Sequence, residues 1–235
     1  MEILGNGLIA RQFAEMSSEF SPENILIFAS GVSNSNESRE SEYRRELSCL
    51  TSHLESDRRI VYFSTCSILD PSRHSSRYVK HKIYIENLLK ARGNSLIVRL
   101  PQVVGLYPNS TTLVESLYLR LVSGQPINVH ENARRILVDV EDVARIVGIL
   151  LSRIEAETCT FSIYSDHYLT PLDIIYVLEE ITGLSANYTI SKSGSFACVD
   201  TSILKNILGQ SDPIFAAYYG KDVLKRYYKD RLKPS

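Results

Sequence analysis

The sequence lacks the features that mark membrane and secreted proteins. Its 235 residues contain no unbroken apolar run of the roughly 18 to 20 residues that a membrane-spanning helix needs. The N-terminus also lacks the basic segment followed by an apolar one that is typical of a secretory signal. These absences predict a cytoplasmic protein that does not bind a membrane.

Cysteine is scarce and scattered along the chain. The four cysteines are Cys49, Cys66, Cys159 and Cys198. Because no two of them have Cys-x-x-Cys spacing, the sequence predicts neither a disulfide framework nor a metal site. We expect reduced thiols and interpret Cys66 as a buried, unreactive one.

Charge of either sign is not in excess. The chain has 26 Lys plus Arg and 27 Asp plus Glu, for a formal net charge of -1. No overall field therefore attracts nucleic acid, and an anionic ligand must be held locally. With 44% hydrophobic residues, the chain is long enough for one main domain with a sizeable core.

Short apolar segments alternate with helical patterns in the first hundred residues. Strands are predicted at residues 1–4, 24–29, 59–64 and 95–100. Helices are predicted from the end of the segment 5–10 to about residue 20, and at residues 41–55 and 78–91. Nearly continuous apolar strands separated by helices indicate a parallel sheet covered on both faces, which is the α/β class. Beyond Pro101 the alternation loosens, with helices at 112–123 and 140–153.

A glycine-containing turn connects the first strand to the first helix. Gly5-x-Gly7-x-x-Ala10 has the context of a dinucleotide fingerprint, in which glycines let the backbone approach a pyrophosphate at the helix N-terminus. The alternative is a tight turn whose small residues serve packing only.

An acidic residue is missing about 20 residues beyond this turn, where an NAD-binding fold places one on the adenosine ribose. The sequence there is Phe28-Ala29-Ser30-Gly31. Arg11 either meets a 2′-phosphate or is a solvated arginine at the start of the helix. NADP is therefore favoured slightly over NAD.

Tyr78 and Lys82 form a Tyr-x-x-x-Lys pair in a predicted helix. Spacing of four residues places both side chains on one face. A neighbouring ammonium lowers the pKa of a phenol, which predicts acid/base chemistry of the kind that carbonyl reduction needs. Tyr188 and Lys192 form a second match, but in a segment where no helix is expected.

Several motifs occur together in a specific order. They are the Gly5 turn, residues 28–31, residues 62–68, the Tyr78 and Lys82 pair, residues 99–105, residues 134–144, and residues 200–205 followed by Leu208-Gly209. In this order they resemble the extended short-chain dehydrogenase/reductases of the NAD-dependent epimerase/dehydratase type. The resemblance covers nearly the whole chain. It implies a Rossmann-like cofactor domain at 1–105 and a small C-terminal substrate lobe at 106–235, with some elements returning to the sheet.

The resemblance also implies roles for individual residues. Thr65 corresponds to the catalytic Ser/Thr that bonds the reacting sugar oxygen, Tyr78 to the acid/base, and Lys82 to the lysine that lowers its pKa and bonds the nicotinamide ribose. Arg135 corresponds to an arginine that holds the diphosphate of a nucleotide-linked sugar, and Gln102 to a substrate contact. The cofactor would be held by Gly5, Asn6, Gly7, Leu8, Ile9, Ala29, Ser30, Tyr78 and Lys82. The alternatives are a strand-end threonine, a surface ion pair for Arg135 and a loop amide for Gln102.

The chain departs from the family pattern in three ways. The predicted second strand follows almost directly on the first helix, so two strands that normally help to hold adenosine are missing and about five remain. This predicts weak cofactor binding. The 13-position step from Thr65 to Tyr78 is shorter than the family's loop. Cys66-Ser67 stand where dehydratases have Asp-Glu, which argues against dehydration.

We therefore expect an NAD(P)-dependent oxidoreductase acting on a nucleotide-linked sugar, most simply a 4-ketoreductase. The alternatives are a 4-epimerase and a non-catalytic relative that binds a nucleotide sugar or a partner. The resemblance implies a homodimer through a four-helix bundle formed by helices 41–55 and 78–91. His74 and His81 flank the predicted site and are interpreted as solvated residues.

Overall fold

A computed structural model describes residues 1–19, 24–106, 110–154, 157–194 and 199–231. The strands in chain order are β1 (Glu2–Leu4), β2 (Ile25–Phe28), β3 (Arg59–Thr65), β4 (Ser95–Leu100), β5 (Gln102–Val104), β6 (Ile127–His130), β7 (Leu137–Asp139), β8 (Cys159–Ser162) and β9 (Tyr188–Ser191). The helices are α1 (Leu8–Glu15), α2 (Glu40–Thr51), α3 (Arg77–Arg92), α4 (Leu113–Val122), α5 (Val140–Arg153), α6 (Pro171–Thr182), α7 (Ser202–Leu208) and α8 (Tyr219–Tyr228).

The chain divides into two compact units. The first comprises Met1–Leu100 and Val140–Ile163, and the second comprises Pro101–Asp139 and Tyr164–Ser235. The helix α5 and the strand β8 therefore belong to the first unit, although part of the second unit precedes them in the sequence. No helix in the described part of the chain is long and apolar enough to cross a membrane.

A five-stranded parallel sheet forms the centre of the first unit, in the order β1-β2-β3-β4-β8. The middle strand β3 is buried along nearly its whole length, as its run of β-branched and aromatic residues predicts. The expected α/β class, parallel sheet and reduced strand number are confirmed. The strand β1 is an edge strand among the described residues.

Alternate side chains of the strands pack against helices on opposite faces of the sheet. On one face, Leu26, Phe28 and Tyr62 join a buried cluster with Leu50 of α2 and with residues of α3. On the other face, Phe63 meets Phe13 of α1, with the ring centres 5.6 Å apart. The helix α1 also contacts α5 on that face.

The first two crossover connections of the sheet have opposite hands. The steps from β1 to β2 and from β2 to β3 run in the same direction across the sheet, but α1 and α2 lie on opposite faces. Crossovers that move in the same direction across a parallel sheet have the same hand only if their helices lie on the same face. Because α1 and α2 lie on opposite faces, one of these two crossovers is left-handed. About 98% of such connections are right-handed, so the left-handed one is an exceptional feature of this sheet.

The second unit has two small parallel strand pairs, β5 with β7 and β6 with β9. Its helices α6 and α8 pack together. Asp139 at the end of β7 accepts hydrogen bonds from Tyr227 (2.6 Å) and Arg226 (2.7 Å) of α8, which connects the strand pair to that helix. This unit thus has its own packed helices and strand pairs.

Candidate functional site

The candidate site begins where the loops after β1 and β2 separate. The chain passes from β1 to α1 on one face of the sheet and from β2 to α2 on the other. Diverging loops at the carboxyl ends of neighbouring parallel strands are where open α/β sheets bind ligands. In a doubly wound sheet a reversal of strand order produces this divergence, whereas here the change of hand produces it.

The two glycines of the turn after β1 differ in what they allow. Gly5 has φ +125°, and a Cβ on it would lie 2.4 Å from the Ala29 carbonyl oxygen, so packing alone requires glycine. Gly7 precedes α1, and a Cβ there would meet nothing within 4 Å. Only Gly7 therefore faces open space beside the first N–H groups of the helix, which start at Leu8 and Ile9.

The loop after β2 is fixed against this turn. The Ala29 N–H donates to the Leu4 carbonyl at 2.8 Å, which extends the pairing of β1 and β2. Arg45 of α2 donates to both the carbonyl (3.0 Å) and the hydroxyl (2.9 Å) of Ser30. Sequence reasoning missed Arg45, because nothing in the sequence distinguishes it from the neighbouring Arg44. On the other side of the turn, Arg11 donates to the carbonyl of Asn6 at 3.0 Å.

The structure brings Thr65, Tyr78 and Lys82 together in the first unit. Thr65 ends β3, and its hydroxyl accepts a hydrogen bond from the Ser67 N–H at 3.1 Å. Tyr78 lies in the first turn of α3, which begins after Ser76 because the Ser76 hydroxyl caps the Val79 N–H at 3.2 Å. All three side chains of the predicted group are buried.

The environment of Tyr78 keeps its proton on the phenol. Burial raises the pKa of Tyr78, while the Lys82 charge and a hydrogen bond from Thr65 lower it; the net shift is upward. The sequence predicted a shift in the opposite direction, with Lys82 favouring the phenolate. Desolvation outweighs that attraction here because the phenol is enclosed.

Lys82 has protein partners for each of its three N–H donors. Its Nζ bonds Oε1 of Glu46 at 2.9 Å, the Tyr62 hydroxyl at 3.0 Å and the Phe63 carbonyl at 3.4 Å. It lies 5.9 Å from the centre of the Tyr78 ring. Because an ammonium has only three donors, a ribose hydroxyl would have to replace one of these acceptors.

Glu46 is the functional-site neighbour that sequence reasoning missed. It has no exposed surface, and burial alone would raise the pKa of its carboxyl. The charge of Lys82 and hydrogen bonds from His81 and Tyr62 instead hold that pKa well below its usual range. A sequence signal existed, because Tyr43, Glu46 and Leu50 share one helix face, and a carboxylate on an apolar stripe needs a partner.

The predictions for the three residues that flank the site, His74, His81 and Cys66, have different outcomes. His74 is exposed, as predicted. The interpretation of His81 as a solvated residue is wrong, because its side chain is 11% exposed and its Nε2 donates to Glu46 at 3.1 Å. Cys66 is buried, and burial raises the pKa of its thiol, which agrees with an unreactive group.

Gln102 and Arg135, the predicted substrate contacts, belong to the second unit. The backbone N–H of Gln102 donates to the Ile136 carbonyl at 3.1 Å, so the two residues lie on adjoining segments. Arg135 pairs with Leu169 through two backbone hydrogen bonds of 2.8 Å. Its guanidinium donates to the Arg134 carbonyl at 2.8 Å.

Two further predictions concern Tyr188 and metal ions. Tyr188 begins the strand β9, so Tyr188 and Lys192 do not share a helix face, as expected. Within the described ranges, no group of three or more His, Cys, Asp or Glu side chains is arranged to hold a metal ion.

The parallel sheet, the glycine turn and the buried tyrosine and lysine define a Rossmann-like α/β protein. The sequence profile of the NAD dependent epimerase/dehydratase family matches residues 8–163. The chain therefore belongs to this family of enzymes. No curated protein matches the sequence significantly.

Solved structures with the same fold cover almost the whole chain. MoeE5 in complex with UDP-glucuronic acid and NAD has a TM-score of 0.74 at 15% identity, over 96% of this chain and 99% of that chain. UDP-N-acetylglucosamine 4-epimerase from Bacillus cereus has a TM-score of 0.67 at 16% identity, over 92% and 94%. RMD from Pseudomonas aeruginosa complexed with NADPH has a TM-score of 0.71 at 13% identity, over 98% of both chains.

Proposed function

We propose that this protein is an NAD(P)-dependent oxidoreductase that reduces the 4-keto group of a nucleotide-linked sugar. Thr65, Tyr78 and Lys82 form the catalytic group, and Gln102 and Arg135 contact the substrate. The proposal rests on family membership and on one observation of the site: the Tyr78 phenol is buried beside Thr65, and this burial raises the pKa of Tyr78.

A protonated phenol suits reduction better than oxidation. When a carbonyl is reduced, its oxygen gains negative charge and must receive a proton, which a neighbouring phenol supplies. Thr65 is within hydrogen-bonding reach of that phenol and would orient the sugar oxygen toward it. An epimerase must first remove a proton from a sugar hydroxyl, a step for which a high pKa of Tyr78 is unfavourable.

The cofactor fits the described residues in part. Gly7 and the N-terminus of α1 offer open backbone for a pyrophosphate. Because β1 is at the edge of the sheet among the described residues, the strands that normally support adenosine beyond it are missing there. In addition, the N–H donors of Lys82 are already bonded to protein acceptors. When bound, NAD(P)H supplies a hydride. We therefore expect weak binding, with Gly5, Asn6, Gly7, Leu8, Ile9, Ala29 and Ser30 forming its site.

The choice of substrate class and cofactor draws on similar proteins. MoeE5 has been solved with UDP-glucose and NAD, and RMD with NADPH. We extend nucleotide-sugar binding and NAD(P) use to this chain. NADP is preferred slightly, since no acidic residue lies directly after β2 at residues 29–36, Arg11 bonds the glycine turn, and Arg45 bonds the loop after β2.

A second candidate function is 4-epimerisation, because several proteins with this fold are UDP-sugar 4-epimerases. An epimerase keeps its cofactor through the catalytic cycle, whereas a reductase releases it. Acid extraction of the purified protein followed by chromatography separates the two: stoichiometric NAD(H) favours the epimerase. A third candidate, a non-catalytic binding protein, predicts nucleotide-sugar binding without turnover.

The experiment that tests the proposal is a titration with NADH and NADPH, followed by fluorescence, and then turnover with 4-keto nucleotide sugars. We expect binding and loss of absorbance at 340 nm. Tyr78→Phe should reduce turnover by a factor of 100 or more, as removal of a general acid does. Tyr188→Phe, which alters the other Tyr-x-x-x-Lys match, is the control and should retain activity. Absence of binding by either cofactor would refute the proposal.

A homodimer is also proposed, formed through a four-helix bundle of α2 and α3 from each chain. In support, Tyr84 is about half exposed and lies on the face of α3 opposite to the face that buries Tyr78 and Lys82. An aromatic residue in that position is suited to a helix interface.

A further inference from the structure

A buried carboxylate in the first unit collects four hydrogen bonds. Glu46 accepts from Lys82 (2.9 Å), the Tyr62 hydroxyl (2.6 Å), His81 (3.1 Å) and the backbone N–H of Val32 (2.8 Å). A carboxylate with this many donors remains ionised, since each bond favours its charged form. A negative charge therefore lies beside Lys82 at neutral pH.

The loop after β2 encloses this ion pair. A Cβ on Gly31 would lie 2.8 Å from Lys82 Nζ and 2.9 Å from Glu46 Oε1, so a larger residue would displace the charged ends of this pair. The next residue, Val32, donates to the carboxylate. The pair is thus fixed by α2, by α3 and by the loop that carries Ala29 and Ser30.

Several groups face Tyr78 from the surrounding elements. They are Lys82 on α3, Tyr62 and Thr65 on β3, Cys66 directly after β3, and Tyr43 and Glu46 on α2. Burial, Glu46 and Cys66 raise the pKa of Tyr78, whereas Lys82 and Thr65 lower it. The contribution of Lys82 is limited because its ammonium is paired with Glu46 and directed to Tyr62.

We propose that Glu46 is a positioning residue that holds Lys82 and keeps Tyr78 as a neutral phenol, so that Tyr78 donates a proton to the substrate oxygen and does not withdraw one. In the proposed reduction, bound NAD(P)H would supply the hydride to the carbonyl carbon and would be oxidised to NAD(P)⁺. The O–H bond of Tyr78 breaks, and a new O–H bond forms on the former carbonyl oxygen. The tyrosinate then recovers a proton from water. This catalytic consequence rests on the proposed function, but the protonation state of Tyr78 does not.

The test measures Tyr78 directly, without cofactor or substrate. Tyrosine labelled with ¹³C at the ζ position reports each phenol by NMR, and Tyr78→Phe identifies the Tyr78 signal. In the wild-type protein that signal should remain in the phenol form to above pH 10, the ordinary tyrosine value. In Glu46→Gln the titration midpoint should fall by about one pH unit or more, because the Lys82 charge is no longer neutralised.

Two variants separate charge from structural damage. Glu46→Asp keeps the carboxylate and should leave the midpoint close to that of the wild type. Glu86→Gln removes another buried carboxylate of the same unit, one that pairs with Arg99 and not with Lys82, and should also leave it unchanged.

A wild-type Tyr78 signal that titrates near neutral pH overturns the proposal, even if no variant folds. So does an unchanged midpoint in folded Glu46→Gln, or an equal fall in Glu86→Gln. If reduction is observed, the pH above which its rate declines should shift with the Tyr78 midpoint. If the NMR shift occurs but no cofactor binds, the proposed function fails while the role of Glu46 stands.

Discussion

Removing the hydroxyl of Tyr62 is the most direct test of the buried ion pair as a source of stability. Tyr62 lies in the central strand β3 and has no exposed surface. Its hydroxyl donates to Glu46 at 2.6 Å and accepts from Lys82 at 3.0 Å, so one oxygen joins both charges. Tyr62→Phe removes these two bonds and leaves the ring in its place beside Phe28, with the ring centres 6.0 Å apart.

The expected loss follows from the kind of bond removed. A hydrogen bond to a charged group contributes about 1.5–3 kcal/mol, and two such bonds are lost. The ions still bond each other directly, which limits the damage. We expect the free energy of unfolding to fall by about 3 kcal/mol and Tm by roughly 6–12 °C.

Urea unfolding followed by circular dichroism measures this loss. Tyr218→Phe is the matched control, because Tyr218 is 70% exposed and lies outside the proposed helix interface; its loss of unfolding free energy should be under about 0.5 kcal/mol. A similarly small loss for Tyr62→Phe would refute the reasoning, because it would mean that the hydroxyl does not bond the two charges in solution.

Three further predictions concern the turn, acid stability and assembly. Gly5→Ala should lower the free energy of unfolding by about 2–5 kcal/mol through strain and contact with the Ala29 carbonyl, whereas Gly7→Ala should fold normally and weaken NAD(P) binding by fluorescence titration. Because the pKa of Glu46 is lowered on folding, its contribution is complete above pH 4.5, the unfolded value, and lost as pH falls below it; Glu46→Gln should flatten the acid limb of a stability-against-pH curve. Light scattering should show a wild-type dimer and a monomeric Tyr84→Arg; a monomeric wild type contradicts the bundle.

The sequence was sufficient for the first four strands of the large sheet and for α3 and α5, but it did not predict β8 and placed the end of α2 four residues too late. Predicted strands at residues 59–64 and 95–100 match β3 and β4 within one residue, and the helix predicted at 78–91 matches α3. Apolar runs and helical spacing are local properties of the sequence, so they can be recognised without knowledge of the fold. The first helix is shorter than predicted, ending at Glu15, and is followed by a 3-10 turn at Ser17–Glu19.

Motif order placed Thr65, Tyr78 and Lys82 in one neighbourhood, but it did not give their electrostatics. Lys82 and Glu46 are 36 positions apart, and only the packing of α2 and α3 on the same face of the sheet brings them together. The burial of His81 depends on the same packing. The apolar face of α2 indicates that Glu46 needs a partner, but no local pattern identifies a partner so distant in sequence.

The sequence by itself determined the α/β class, the family motifs and the loss of two strands, because each depends on residue order and spacing. Only the tertiary structure decided that β1 is an edge strand, that the first two crossovers differ in hand, and that Lys82 is paired with a buried carboxylate. These features depend on packing contacts between strands and helices that are far apart in the sequence. The predicted direction of the Tyr78 pKa was reversed for the same reason: desolvation is a property of the assembled core and not of the Tyr-x-x-x-Lys spacing.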